Sequence, residues 1–272
     1  MKQQIAIIGG GNLGSAIAEG LINSGFVLPQ QLTVTKRNLE TIKHLEEKGV
    51  SISNDNLAAV SKAHWIILAI KPFQIKEVLQ QIQPALNKDQ HAIVSVVTGV
   101  WIKDIQEIIG EEFPLFRAMP NTAIAIQESM TCICASNASD AQHAFVSEVF
   151  NQLGKSVFIE EKLMDAVTAV SGSGPAYVFA FLEAMQSSGE KLGLDAVTAR
   201  KLAYATLEGA TQLAHNSDEH AGVLRERVTS KGGTTAAALD TLKQLDWHGA
   251  LEKAIDAASQ RGKAMGDELG KS

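Results

Sequence analysis

Cysteine is scarce in this chain of 272 residues, which has two. That scarcity excludes a disulfide framework. Cys132 and Cys134 stand two apart in an apolar stretch. On a strand they would share one face and be poorly placed to bridge each other, so they read as buried thiols. No Cys or His cluster accompanies them, and no metal site is expected. A cationic excess is also lacking. The net charge of -6 argues against nucleic acid as the main partner. Long apolar runs are missing too. Ile5-Ala6-Ile7-Ile8 is stopped at once by glycines, too short for the core of a signal peptide, and residues 65–70 fall far below a membrane span. A cytoplasmic location without membrane contact is the expectation. Repeats, charge blocks and low-complexity tracts are absent as well.

What is present is a chain of 45% apolar and 20% charged residues, able to build a proper core. Its length allows one large domain or two smaller ones. Short apolar runs at 5–8, 32–35, 65–70 and 92–97 read as strands. The stretches 13–24, 39–48 and 74–86 carry apolar residues at helical spacing. This alternation predicts an α/β fold with a parallel sheet covered on both faces. Further strands are expected at 115–117, 130–135 and 156–159, with a helix over 141–153.

Beyond about residue 160 the strand-like runs stop, and Ala, Leu, Glu and Lys recur at helical spacing. Pro175 suits the first turn of a helix running to 191. Asp195 is placed to cap the next helix, to about 215, and Asp246 the last, to about 269. Two domains are therefore expected, a Rossmann-like domain over 1–160 and an all-helical one over 161–272. The face of Leu202, Thr206, Gly209, Ala210 and Leu213 is very apolar and small-sided. A subunit interface and an ordinary core both account for it.

Gly9-Gly10-Gly11-Asn12-Leu13-Gly14 fits G-x-G-x-x-G, directly after the first strand and at the start of the first helix. That context makes it a dinucleotide-binding candidate. Gly9 would permit the tight turn, Gly11 the approach of a pyrophosphate, and Gly14 close packing of helix on strand. Sites that prefer NAD usually carry an acid at the end of the second strand, to hold the ribose 2′-OH. Here that strand ends in Val34-Thr35-Lys36-Arg37. The two cations suit a 2′-phosphate and favour NADP(H), with NADH as the other candidate. A solvated basic turn is the plainer reading of the same residues.

Ser171-Gly172-Ser173-Gly174-Pro175-Ala176-Tyr177 and Val228-Thr229-Ser230-Lys231-Gly232-Gly233-Thr234-Thr235 each gather glycines and hydroxyls ahead of a helix. Such segments can wrap a ligand and offer unpaired N–H groups to a small carboxylate. With these residues in view, the chain resembles the pyrroline-5-carboxylate reductases. The likeness spans nearly the whole length. It takes in the glycine fingerprint, Asn56, Ala69-Ile70-Lys71-Pro72, Arg117-Ala118-Met119-Pro120-Asn121-Thr122 and both glycine-hydroxyl segments.

The resemblance implies a nucleotide-binding domain followed by a helical domain that interlocks in a homodimer, and reduction of a ring imine to L-proline with NADPH or, less often, NADH. It implies that Gly9, Gly11, Asn12, Leu13, Thr35, Asn56, Ala69 and Lys71 line the cofactor; the basic end of the second strand adds Lys36 and Arg37 to that set. Ser173, Ser230, Gly232, Gly233, Thr234 and Thr235 would hold the substrate, Thr235 with its hydroxyl on the imine nitrogen, and Asn121 would serve in positioning. Lys231, Ala123 and Ala221 stand where the family usually has proline, and Thr98 where alanine is common.

Hydride transfer to an iminium needs alignment more than a strong acid, in keeping with the absence of a Ser/His/Asp set. The seven histidines are scattered and read as surface or core residues. A 3-hydroxyacid dehydrogenase would carry a lysine soon after a glycine-rich segment; none stands between Gly174 and Lys191. A related cyclic imino acid as substrate, or a non-catalytic NADP-binding regulator, are the alternatives.

Overall fold

The computed structural model describes residues 3–269. The chain divides into two compact units, one running to Ser173 and resuming at Ala258, the other spanning Gly174–Ala257.

The first unit is built as β1 (Ile5–Ile8), α1 (Asn12–Asn23), β2 (Leu32–Thr35), α2 (Lys43–Glu47), β3 (Ser51–Ser53), α3 (Asn56–Val60), β4 (Trp65–Leu68), α4 (Ile75–Ile82), β5 (Ala92–Ser95), α5 (Ile102–Ile109), β6 (Leu115–Met119), β7 (Ser129–Ser136), α6 (Asp140–Asn151), β8 (Gly154–Phe158) and α7 (Met164–Val167). The strands form one sheet in the order β3-β2-β1-β4-β5-β6-β7-β8. From β3 to β6 neighbouring strands are parallel; β7 pairs antiparallel with β6, and β8 parallel with β7.

Both faces of the sheet are covered, as the near-continuous apolar strands require. Ile5 and Ile7 of β1 pack with Ile17 and Leu21 of α1 and with Val149 and Phe150 of α6. Ala6 and Ile8 point the other way, to Ile75 and Leu79 of α4 and Ile105 of α5. Burying an aliphatic side chain of this size contributes about 1.5–3 kcal/mol, so a four-residue strand holds the centre. Sequence periodicity passes over β3 and α3. The strand has one apolar residue, Ile52, and exists by pairing with β2; α3 is a single turn whose N-terminus is closed by Asp55 accepting from the Ala58 N–H at 3.0 Å.

Cys132 and Cys134 are buried and free, and burial pushes the Cys134 thiol up to about 12. His91 is buried and accepts at Nδ1 from the Asn87 N–H at 2.9 Å. Burial, and secondarily His64 nearby, hold its pKa below 6.5. Strand-like sequence ends with β8, yet the unit continues to Ser173, because Met164 and Ala169 are themselves buried.

The second unit begins with α8 (Gly174–Lys191) and continues through α9 (Ala196–His215), α10 (Ala221–Arg227), α11 (Thr234–Gln244) and the first part of α12 (Trp247–Leu269). Asp195 caps α9, accepting from the N–H groups of Val197 and Thr198 at 3.1 and 3.0 Å. Asp246 precedes α12 in a left-handed conformation, φ 49°, rather than the extended one a capping residue usually takes. Of residues 174–257, only Ala199 and Ala203 are buried. Among the described residues, no helix is long and apolar enough to cross a membrane.

Candidate functional site

The carboxyl ends of β1, β2 and β4, and the chain leaving β5, surround a cleft of about 1040 Å³. It lies where the strand order passes from β2 on one side of β1 to β4 on the other, the position at which open α/β sheets hold ligands. Gly9, Gly11, Asn12, Leu13, Thr35, Lys36, Arg37, Asn56, Ala69 and Lys71 all line it.

The glycines divide the work as their spacing implies. Gly9 sits at φ 109°, and its N–H donates to the Thr35 carbonyl at 3.1 Å. A Cβ on Gly14 would run into the Gly9 carbonyl oxygen, so α1 approaches the strand end more closely than a side chain permits. Gly11 is different: a Cβ there meets nothing within 4 Å, because the residue faces the open cleft. It starts α1 with no side-chain cap, leaving the first-turn N–H groups free for an anion.

Three cations line the cleft, Lys36, Arg37 and Lys71, against one carboxylate, Glu77. Arg37 Nη2 lies 3.6 Å from Glu77 Oε2, both side chains well exposed. Asn56 Nδ2 donates to Gln81 Oε1 at 2.9 Å. Glu77 and Gln81 come from α4, far along the chain from the basic strand end, and sequence reading missed them because only folding places that helix beside β2's terminus.

Val96 and Thr98 line the cleft where the chain leaves β5. The Thr98 hydroxyl lies 4.0 Å from Met119 Sδ, and a Cβ on Gly172 would come within 2.6 Å of Met119 Cε. Met119 thus connects the cleft wall to the serine-glycine segment. Asn121 lies on that same side, its Nδ2 3.5 Å from Ser171 Oγ. Its Oδ1 accepts from the Ala123 N–H at 3.1 Å, a bond that a proline at 123 could not make. Residues Thr168–Gly172 form a π-helical turn before α8, an irregularity frequent at functional sites and invisible to periodicity. Arg117, in the motif leading to Asn121, is an anchor: buried under Trp101, it donates to Glu161 Oε1 at 3.1 Å, which also accepts from the Ile102 N–H at 2.7 Å.

In the second unit, Ser230, Lys231, Gly232 and Gly233 form a tight turn between α10 and α11. Gly232 takes φ 73°, and the Gly233 N–H donates to the Ser230 carbonyl at 3.0 Å. Thr234 and Thr235 open α11, and Gly233 at its N-cap supplies no side-chain acceptor. The first-turn N–H groups are therefore unpaired within the helix. Ala221 begins α10, where proline is readily accommodated; His220 Nδ1 caps that helix by accepting from the Gly222 N–H at 3.1 Å. Ser173 belongs to the first unit, and the Ser230–Thr235 residues belong to the second.

Residues 161–265 match the model of the pyrroline-5-carboxylate reductase dimerisation domain, and residues 4–99 that of NADP oxidoreductase, coenzyme F420-dependent. The chain is 35% identical to the pyrroline-5-carboxylate reductase of Pseudomonas aeruginosa, over 98% of both chains. The chain belongs to the pyrroline-5-carboxylate reductase family. The reductase of Methanosarcina acetivorans is 33% identical over 97% of this chain and 98% of its own. Among solved structures, the Coxiella burnetii pyrroline-5-carboxylate reductase matches with a TM-score of 0.90 at 32% identity, covering 97% of this chain and 99% of that one. The Plasmodium falciparum enzyme, solved with NADP bound, matches with a TM-score of 0.90 at 28% identity, covering 98% and 99%. Against this family background, the helical part of the chain is a dimerisation domain, and the protein is a homo-oligomer-forming oxidoreductase.

Proposed function

We propose that this protein reduces the ring imine of 1-pyrroline-5-carboxylate to L-proline, the last step of proline biosynthesis, with NADPH as the favoured donor and NADH as the alternative. The observation that carries the reading is the cleft at the strand-order switch. It joins a glycine turn, an open helix N-terminus and the cations Lys36 and Arg37 in a chain matching full-length reductases.

Bound reduced nicotinamide supplies the hydride. In this reading Gly9, Gly11, Asn12 and Leu13 hold the pyrophosphate, and Thr35, Lys36 and Arg37 the ribose phosphate. Asn56, Ala69 and Lys71 complete the wall. Ser173, Ser230, Gly232, Gly233 and Thr234 hold the substrate carboxylate and ring, and Asn121 positions the segment that contains Ser171. Thr235 is the catalytic hydroxyl, donating to the imine nitrogen as the ring carbon accepts hydride; a proton on nitrogen completes the amine. We assign nucleotide binding to residues 1–160, and substrate binding and dimerisation to 161–272. No metal takes part in this scheme.

We also propose a homodimer through the helical domain. Phe179, Val197, Leu213 and Leu245 are each more than three-fifths exposed in the lone chain, and a second copy would cover such faces. A cytoplasmic location belongs to the same reading, with small molecules rather than nucleic acid or membranes as ligands.

The test is NADPH consumption, followed by absorbance, on addition of pyrroline-5-carboxylate, with L-proline identified among the products. Absence of oxidation with this and with six-membered ring imines would overturn the activity. A monomer in solution by light scattering would overturn the dimer.

A further inference from the structure

The Arg37–Glu77 pair spans the rim of the cleft beside Lys36. Sites that take a bare ribose diol generally carry an acid directly after the second strand. In this chain that position holds two cations, and an acid reaches the same rim from α4. The helix dipole favours an acid in the first turn of a helix, which accounts for Glu77 as a residue of α4. It does not account for the carboxylate standing against the arginine that a 2′-phosphate requires.

Building on the cofactor reading above, we propose that Glu77 is a specificity-determining residue, whose carboxylate competes with the ribose 2′-phosphate for Arg37 and so narrows the preference for NADPH over NADH. A 2′-phosphate has to draw Arg37 from its partner and tolerate a nearby negative charge. An uncharged diol does neither, and the pair stays intact when NADH binds. Both side chains are more than 70% exposed, so solvent screens the effect, and a single such pair corresponds to a change of up to about fivefold in an equilibrium.

Calorimetric titration of the full-length protein with NADPH and with NADH, at low ionic strength, tests this. Glu77→Gln and, as a second variant, Glu77→Ala should tighten NADPH by about three- to fivefold and alter NADH by less than about twofold. The gain should fade as salt is raised and shrink in an Arg37→Gln background. A parent protein that binds neither dinucleotide overturns this inference together with the cofactor reading. Binding of both, with a ratio that neither variant moves, overturns this inference alone, whatever the fate of pyrroline-5-carboxylate.

Discussion

Alanine at Gly11 and at Gly14 should separate binding from stability within one glycine turn. At Gly14 the added methyl meets the Gly9 carbonyl oxygen, a backbone atom with nowhere to go. An overlap this close, with backbone that cannot yield, falls in the upper part of the overpacking range, about 2–3 kcal/mol, partly offset by the advantage of roughly 1 kcal/mol that alanine holds over glycine within a helix. A net loss of about 1–2 kcal/mol remains, worth roughly 2–8 °C in melting temperature for a chain of this size. At Gly11 the backbone is at φ -77° and ψ -171°, open to any residue, and a methyl has free space around it. The poorer N-cap that alanine makes and the lower entropy of the unfolded chain oppose each other, leaving stability within about 1 kcal/mol. That methyl nevertheless stands where a pyrophosphate must reach the first-turn N–H groups. Losing one charge-assisted hydrogen bond at roughly 1.5–3 kcal/mol weakens NADPH by about tenfold or more. Thermal melts and calorimetric titration of the two variants give the comparison. Gly11→Ala binding NADPH as the parent does, or Gly14→Ala melting with the parent, would refute the reasoning.

Other predictions follow from the same geometry. Thr235→Ala should lower turnover while NADPH affinity, measured by titration, stays near normal; unchanged turnover removes Thr235 from the catalytic role. Glu161→Ala leaves Arg117, 3% exposed, without its counter-charge. It should destabilise by about 3–5 kcal/mol in denaturant titrations, whereas an unaltered midpoint would make the pair energetically idle. His91 has a folded pKa below its unfolded value of 6.5, so on acidification the unfolded chain takes up the proton first. Stability should therefore fall as pH drops through about 6.5 and level off below the folded pKa, and His91→Gln should flatten that part of a urea-midpoint profile. Cys134, its pKa pushed up to about 12 by burial, should resist thiol reagents in the native state and react on unfolding; rapid native labelling would contradict its placement.

Patterns that depend on near neighbours in the chain were readable without a structure. The β1 strand and the glycine turn were legible because buried parallel strands are apolar throughout and because each glycine answers a local steric demand. The Asp195 cap and the Pro175 helix start were legible for the same reason. Asp246 does stand directly before α12, but its left-handed backbone was not legible, since nothing in the local sequence shows that Leu245 and Asp246 turn the chain sharply between α11 and α12. The sites expected from Lys36, Arg37, Asn56 and Lys71 do share one cleft, though spacing alone could not bring residues 36 and 71 together.

The order of apolar runs in this chain was enough to determine a doubly covered α/β sheet followed by helices, since period and burial are written into neighbouring residues. Its motifs were enough to determine the family. Tertiary structure alone decided that Glu77 faces Arg37, that Met119 links Thr98 to Gly172, and that Arg117 is neutralised by Glu161. Those pairs lie on different elements, and electrostatic and steric contacts act through space, whatever the separation along the chain.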